Sequence, residues 1–134
     1  GKVWEKMNVI YLGNQERKKK LAAELERITG ALQKNPTVKK VILFGSLAGG
    51  QVGIKSDLDL LVIQDTDKPF LSRSIDLMQQ FNPSVAVDLL VYTPQEFAEM
   101  QKKPDSLIRD ILKNGRVVYE KAGAGDGRKS HCPG

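Results

Sequence analysis

The sequence predicts an α/β domain in which helices cover a small mixed sheet. Three observations carry that reading. Short apolar runs of strand length alternate with longer stretches of helical periodicity. The first two apolar runs are joined by only about a dozen residues, 45–56, too few for a crossover helix, so these two strands should pair antiparallel. The 134 residues are enough for one core and not for two.

Each element follows from local pattern. A helix is expected over 15–34, where Leu21, Leu25, Ile28 and Leu32 recur at spacings of four, three and four and form one apolar stripe. Asn35-Pro36 ends it, because the residue before a proline avoids the helical region. Residues 38–44 read as a buried strand closed by Gly45, and 57–63 as a second of the same character. Phe70, Leu71, Ile75, Met78 and Phe81 fall near helical spacing, which predicts a helix with these residues on its core face and Pro69 in its first turn. Residues 85–92 read as a third strand beside the other two, apolar except for Asp88.

Thr93-Pro94-Gln95-Glu96 has the pattern of a capping box with proline at the first helical position, which starts another helix. A further helix follows Pro104, carries Leu107, Ile108, Ile111 and Leu112, and stops at Gly115. Residues 116–120 form a short fourth strand. The domain is expected to span 1–121 with its motif-bearing core at 38–92, and 122–134, small and polar, to be a flexible tail.

Composition narrows the function class. Hydrophobic residues at 40% and charged residues at 28% match a soluble globular chain and not a disordered one. The excess of 21 Lys and Arg over 16 Asp and Glu gives a net charge of +5, which suits a polyanion such as a nucleotide or nucleic acid. One cysteine, Cys132, excludes an internal disulfide. No apolar run approaches the roughly 20 residues that span a bilayer, and no basic-then-apolar leader is seen. A cytoplasmic protein is expected. His131 beside Cys132 lacks further ligands for a metal site. The run Arg17-Lys18-Lys19-Lys20 is a solvated face or a contact for nucleic acid or an acidic partner. Because cations are disfavoured at a helix N-terminus, either the run serves a purpose or its helix begins earlier than residue 15.

The chemistry concentrates in Gly45-Ser46-Leu47-Ala48-Gly49-Gly50 and Ser56-Asp57-Leu58-Asp59-Leu60. Residues two apart in a strand point to one side, roughly 7 Å apart, so Asp57 and Asp59 should aim their carboxylates together. Asp88 lies among Val87, Leu89, Leu90 and Val91 and is expected to be buried, which is costly for an isolated carboxylate. Three acids on neighbouring strands repel unless a cation joins them. Magnesium, with its preference for hard oxygens, fits that need. Two such ions roughly 3.5–4 Å apart clamp the attacking and leaving oxygens of a phosphoryl-type displacement.

Residues 46–50 could form a short helix whose free N–H groups, with the Ser46 hydroxyl, receive a triphosphate, while Gly45 lets the backbone approach closely. The segment is not a P-loop, since Gln51 and Val52 stand where Lys and Ser or Thr are required. No dinucleotide fingerprint occurs.

Taken together, Gly45-Ser46, Gly50, Ser56-Asp57, Asp59 and Asp88 resemble the minimal nucleotidyltransferases of the DNA-polymerase-beta-like superfamily over residues 38–92. The resemblance implies a polymerase-beta palm-like fold and transfer of a nucleoside monophosphate from an NTP, expected to be ATP, to a hydroxyl with release of pyrophosphate. It implies Asp57, Asp59 and Asp88 as catalytic and magnesium-binding, two ions in all, and Gly45, Ser46, Gly50 and Ser56 as nucleotide-binding. Leu47 and Gly49 stand where many relatives have arginine, which removes positive charge from the triphosphate site.

Larger relatives bind the acceptor on an added domain, so here the acceptor is expected on a partner protein or across a homo-oligomer. The resemblance points to antitoxins paired with helical HEPN-type toxins. Two other readings stay open: a catalytically weak module that neutralises a partner by contact, and a nucleic-acid-binding domain, which lacks a basic-aromatic stacking pattern.

Overall fold

Among the described residues, four strands build the sheet and two helices cover each of its faces. The structure, a computed structural model, describes residues 9–45 and 57–122. The elements are α1 (Val9–Gln33), β1 (Val38–Phe44), β2 (Leu58–Gln64), α2 (Phe70–Phe81), β3 (Val87–Tyr92), α3 (Pro94–Lys102), α4 (Ser106–Asn114) and β4 (Arg116–Glu120). Strand order is β3-β2-β1-β4, with β1 antiparallel to both β2 and β4 and β2 parallel to β3. The mixed sheet and the antiparallel first pair are as the sequence predicts. β1 and β3 are not neighbours, however, because β2 lies between them.

Strand alternation divides the core in two. Val41, Leu43, Leu58, Leu60, Val62, Leu89 and Val91 face α1 and α2, meeting Leu21, Leu25, Ile28, Leu32, Leu77 and Phe81. Ile42, Phe44, Leu61, Ile63, Leu90 and Tyr92 face α3 and α4, meeting Phe97, Ile108 and Ile111. The central strand β2 is buried on both faces over six consecutive residues, which is why it reads as an unbroken apolar run.

α1 begins at least as early as Val9, so Arg17-Lys18-Lys19-Lys20 lies within the helix, and residues 16–20 are all exposed. The unfavourable meeting of cations with a helix N-terminus is thereby avoided. The predicted stripe from Leu21 to Leu32 is the core face.

The expected core face of α2 is wrong in part. Leu71 and Ile75 are exposed by 71% and 56%, whereas Arg73, Leu77 and Phe81 are buried. Arg73 is accommodated because its charge is fully engaged. Its guanidinium donates to both Glu96 carboxylate oxygens at 2.7 and 3.1 Å, and to the carbonyls of Lys68 and Val91. Glu96 is also the acid of the predicted capping box, accepting from Thr93 N–H at 3.0 Å while the Thr93 hydroxyl accepts from Glu96 N–H. One carboxylate thus caps α3 and ties it to α2 around the outer strand β3.

α4 stops at Gly115, as its sequence predicts. A Cβ there would lie 2.5 Å from the Ile111 carbonyl oxygen and 2.8 Å from an Ile42 methyl, so the turn into β4 has room only for glycine. Among the described residues no helix is long and apolar enough to cross a membrane.

Candidate active site at the entrance of strands β2 and β3

The parallel pairing of β2 with β3 sets Asp59 directly beside Asp88, between the pairs Leu58–Val87 and Leu60–Leu89. Neighbouring strands run about 4.8 Å apart, so the two carboxylates share a locality and, by alternation, the face that carries Leu61 and Leu90. Asp59 is 3% exposed. Asp88 is exposed, contrary to the expectation from its apolar neighbours. The reason is topological: β3 is the outer strand, and Asp88 sits near its start.

Gly45 closes the other side of Asp59. It follows β1 with φ +84°, a left-handed conformation, and a Cβ there would lie 2.2 Å from Asp59 Oδ2. The sequence reading assigned this glycine to close approach by phosphate. In the structure it first gives room to the Asp59 carboxylate. Ser46, Gly50 and Ser56, and with them Leu47 and Gly49, lie outside the described residues.

Asp57 behaves differently from the alternation argument. β2 begins at Leu58, so Asp57 stands in a bend just before the strand. Its N–H and that of Leu58 both donate to the Ala86 carbonyl, at 2.8 and 3.1 Å, and its Oδ2 accepts from Ala86 N–H at 3.0 Å. Its Oδ1 accepts from the guanidinium of Arg17 on α1, the helix of the opposite face. The Ala86 N–H, aided by Arg17 and by the charge of Lys20, holds the Asp57 carboxyl below the usual range. Asp57 is therefore the fastening between β2, β3 and α1.

Arg17 is the residue that sequence reasoning missed here. Its signal was present, since it lies one turn before Leu21 and so on the inward-facing edge of the helix.

A second buried carboxylate, Glu24, supports the site from behind. It is 7% exposed and accepts from Arg27 at 2.9 and 2.7 Å and from Ser84 N–H at 2.7 Å. Arg27 also donates to the Asn82 carbonyl at 3.0 Å. The Arg27 bonds, followed by the Ser84 N–H, lower the Glu24 pKa to about 2. This pair bolts α1 to the segment entering β3.

Among the described residues no three His, Cys, Asp or Glu side chains stand close enough to share a metal ion. The structure brings Asp59 beside Asp88 and leaves Asp57 turned to Arg17. Asp59 and Asp88 are nonetheless a hard-oxygen pair that could hold a divalent cation. The groove of about 550 Å³ between α3, α4 and the β1–β4 edge is lined by Ile42, Phe97, Ile111 and Val117, among others, and by none of the three aspartates. It is not part of this site.

With that geometry in view, the family model described as "Polymerase beta, Nucleotidyltransferase" matches residues 26–123. The chain belongs to this family. It is a nucleotidyltransferase, and the region matched runs from within α1 through β4, so it contains Gly45 and the three aspartates Asp57, Asp59 and Asp88. The nucleotidyltransferase is also similar to the "Putative protein adenylyltransferase" of Methanocaldococcus jannaschii. The two are 34% identical over 82 residues, which is 61% of this chain and 79% of that protein.

Proposed function

We propose that this nucleotidyltransferase moves a nucleoside monophosphate, AMP from ATP, to a hydroxyl on a partner protein, with a divalent cation such as magnesium as cofactor. The observation that carries the proposal is the side-by-side setting of Asp59 and Asp88 against a left-handed Gly45. A protein acceptor is supported by the name of the archaeal relative. On this reading Asp59 and Asp88 hold the cation, and Asp57 joins them by exchanging its Arg17 contact. Gly45, Ser46, Gly50 and Ser56 receive the nucleotide.

The cation supplies charge neutralisation at the phosphoryl oxygens. The chain itself supplies position and charge. Exposed Asp88 is the acid best placed to take the proton of an incoming hydroxyl, because the acceptor must arrive from solvent. Buried Asp59 is held in place beneath Gly45. Catalysis then consists of alignment and electrostatic stabilisation, as in phosphoryl transfer generally.

The minimal-nucleotidyltransferase motif further supports an antitoxin acting on a helical HEPN-type toxin. The domain then spans 1–121, and the partner supplies the acceptor surface. The test is incubation with such a partner, each NTP in turn and magnesium, followed by intact mass of both chains. A nucleotide-sized gain on the partner with one NTP supports the proposal. Neutralisation of the partner with no mass change on either chain overturns it in favour of binding alone.

A further inference from the structure

The basic run of α1 is the charged feature that the proposed reaction leaves unused, and its two ends, Arg17 and Lys20, lie on the helical face turned to Asp57. Arg17 touches Asp57, yet its side chain remains 57% exposed. It is therefore anchored at the site and open to solvent. Lys20 lies three residues on, on the same helical face, exposed, and near enough for its charge to act on Asp57. Lys18 and Lys19 point elsewhere, because neighbours one and two apart on a helix do not share a face. Two cations thus stand together at the entrance of β2, beside the Asp57 carboxylate, while two others of the same run do not.

An arginine so placed has a better use than a surface ion pair. A partly exposed pair contributes at most about 1 kcal/mol to stability. A guanidinium presents paired donors that match phosphate oxygens, and arginine is favoured wherever phosphate is held in a fixed geometry. A divalent cation held at Asp57 would repel the Arg17 guanidinium from that carboxylate and leave it available to an anion. A triphosphate is the anion that arrives with the cation.

We propose that Arg17 and Lys20 form a polyphosphate-binding arm of the nucleotide site, with Arg17 exchanging the Asp57 carboxylate for phosphate oxygens when nucleotide binds. This rests on the reading of the Gly45, Asp59 and Asp88 end as the nucleotide site. Since the arm touches phosphates only, it confers affinity and no choice of base.

The test uses the full chain and binding, not turnover. Calorimetry with magnesium-ATP, magnesium-GTP and inorganic tripolyphosphate is run on wild type, Arg17→Met, Arg17→Lys, Lys20→Met, Lys18→Met and Lys19→Met, with a thermal melt of each. The expected result is binding about tenfold weaker for Arg17→Met and Lys20→Met with all three ligands, a flatter salt dependence, partial retention in Arg17→Lys, and wild-type affinity in Lys18→Met and Lys19→Met. If Arg17→Met melts lower but binds all three ligands as wild type does, Arg17 only fastens Asp57 and the inference falls. Equal weakening by Lys18→Met and Lys19→Met also overturns it, since diffuse charge then explains the effect. Wild type that binds none of the ligands removes the nucleotide-site reading itself and the arm with it.

Discussion

Asp59 and Asp88 stand opposite one another in the parallel register of β2 and β3, the first buried and the second exposed. Their unequal exposure separates two effects that a shared motif would merge. Replacing Asp88 by Asn should lower nucleotidyl transfer about 100-fold or more, the usual scale for losing one group that stabilises developing charge. Its cost to stability should stay within about 0.5 kcal/mol, because the side chain is exposed. Wild type should also gain melting temperature with magnesium and NTP, and Asp59→Asn and Asp88→Asn should not. Transfer assays with parallel thermal melts check both halves, and full activity in Asp88→Asn would contradict the assignment.

Asp57 should respond differently, because it fastens the strands to α1. Asp57→Asn keeps an acceptor for Ala86 N–H but loses the charge that Arg17 meets. A stability loss of about 1 kcal/mol is expected in the absence of any ligand. Asp57→Ala should cost more, about 2 kcal/mol, since the Ala86 N–H then has no side-chain acceptor. Urea unfolding of the two variants measures the difference.

Gly45 should tolerate no side chain. Alanine at φ +84° carries about 1–2 kcal/mol of backbone strain, and its Cβ would meet Asp59 Oδ2 at 2.2 Å. Because that carboxylate must move, Gly45→Ala should lose transfer activity even at temperatures where it is fully folded. Circular dichroism at 15 °C alongside the transfer assay distinguishes displacement of Asp59 from simple unfolding. A folded, fully active Gly45→Ala would show that Asp59 can move without consequence.

Glu24 should give the domain an acid-sensitive component. Its folded pKa is about 2 against 4.5 for the free group, so the stability it contributes is complete above the unfolded value and disappears as pH falls toward 2. The contribution is on the order of 3 kcal/mol at neutral pH. Glu24→Gln should be less stable than wild type at pH 7 by about that amount, and the gap should close between about pH 5 and pH 2. Denaturant midpoints across that range would reveal it, and a gap independent of pH would assign the effect to packing.

Arg73 should matter more than its place on a surface helix implies. Arg73→Met removes both bonds to Glu96 and leaves the Val91 carbonyl without that donor. A loss of about 1–3 kcal/mol is expected. Glu96→Gln should cost less, since glutamine can still accept from Thr93 N–H and close the capping box. Chemical denaturation of the two variants orders them, and equal losses would mean that the charged bridge to Arg73 accounts for all that the Glu96 charge provides.

The sequence by itself determined the strands, the apolar stripe of α1, the capping box at Thr93, the stop at Gly115 and the antiparallel first pair. Each is set by spacing, turn chemistry or loop length, which act within a few residues of the chain. It also made the glycine-serine and paired-aspartate pattern legible, and with it the nucleotidyltransferase family. Tertiary structure alone decided which partner each charge meets. The exposure of Asp88 depends on β3 being the outer strand, and the burial of Arg73 on a carboxylate 23 positions away. The turn of Asp57 toward Arg17 depends on a helix 40 positions earlier in the chain, packed against the other face. Hydrogen bonds and ion pairs are short-ranged in space and indifferent to separation along the chain. Periodicity can therefore say that a side chain belongs near a site, but only the packed fold can say what it holds there.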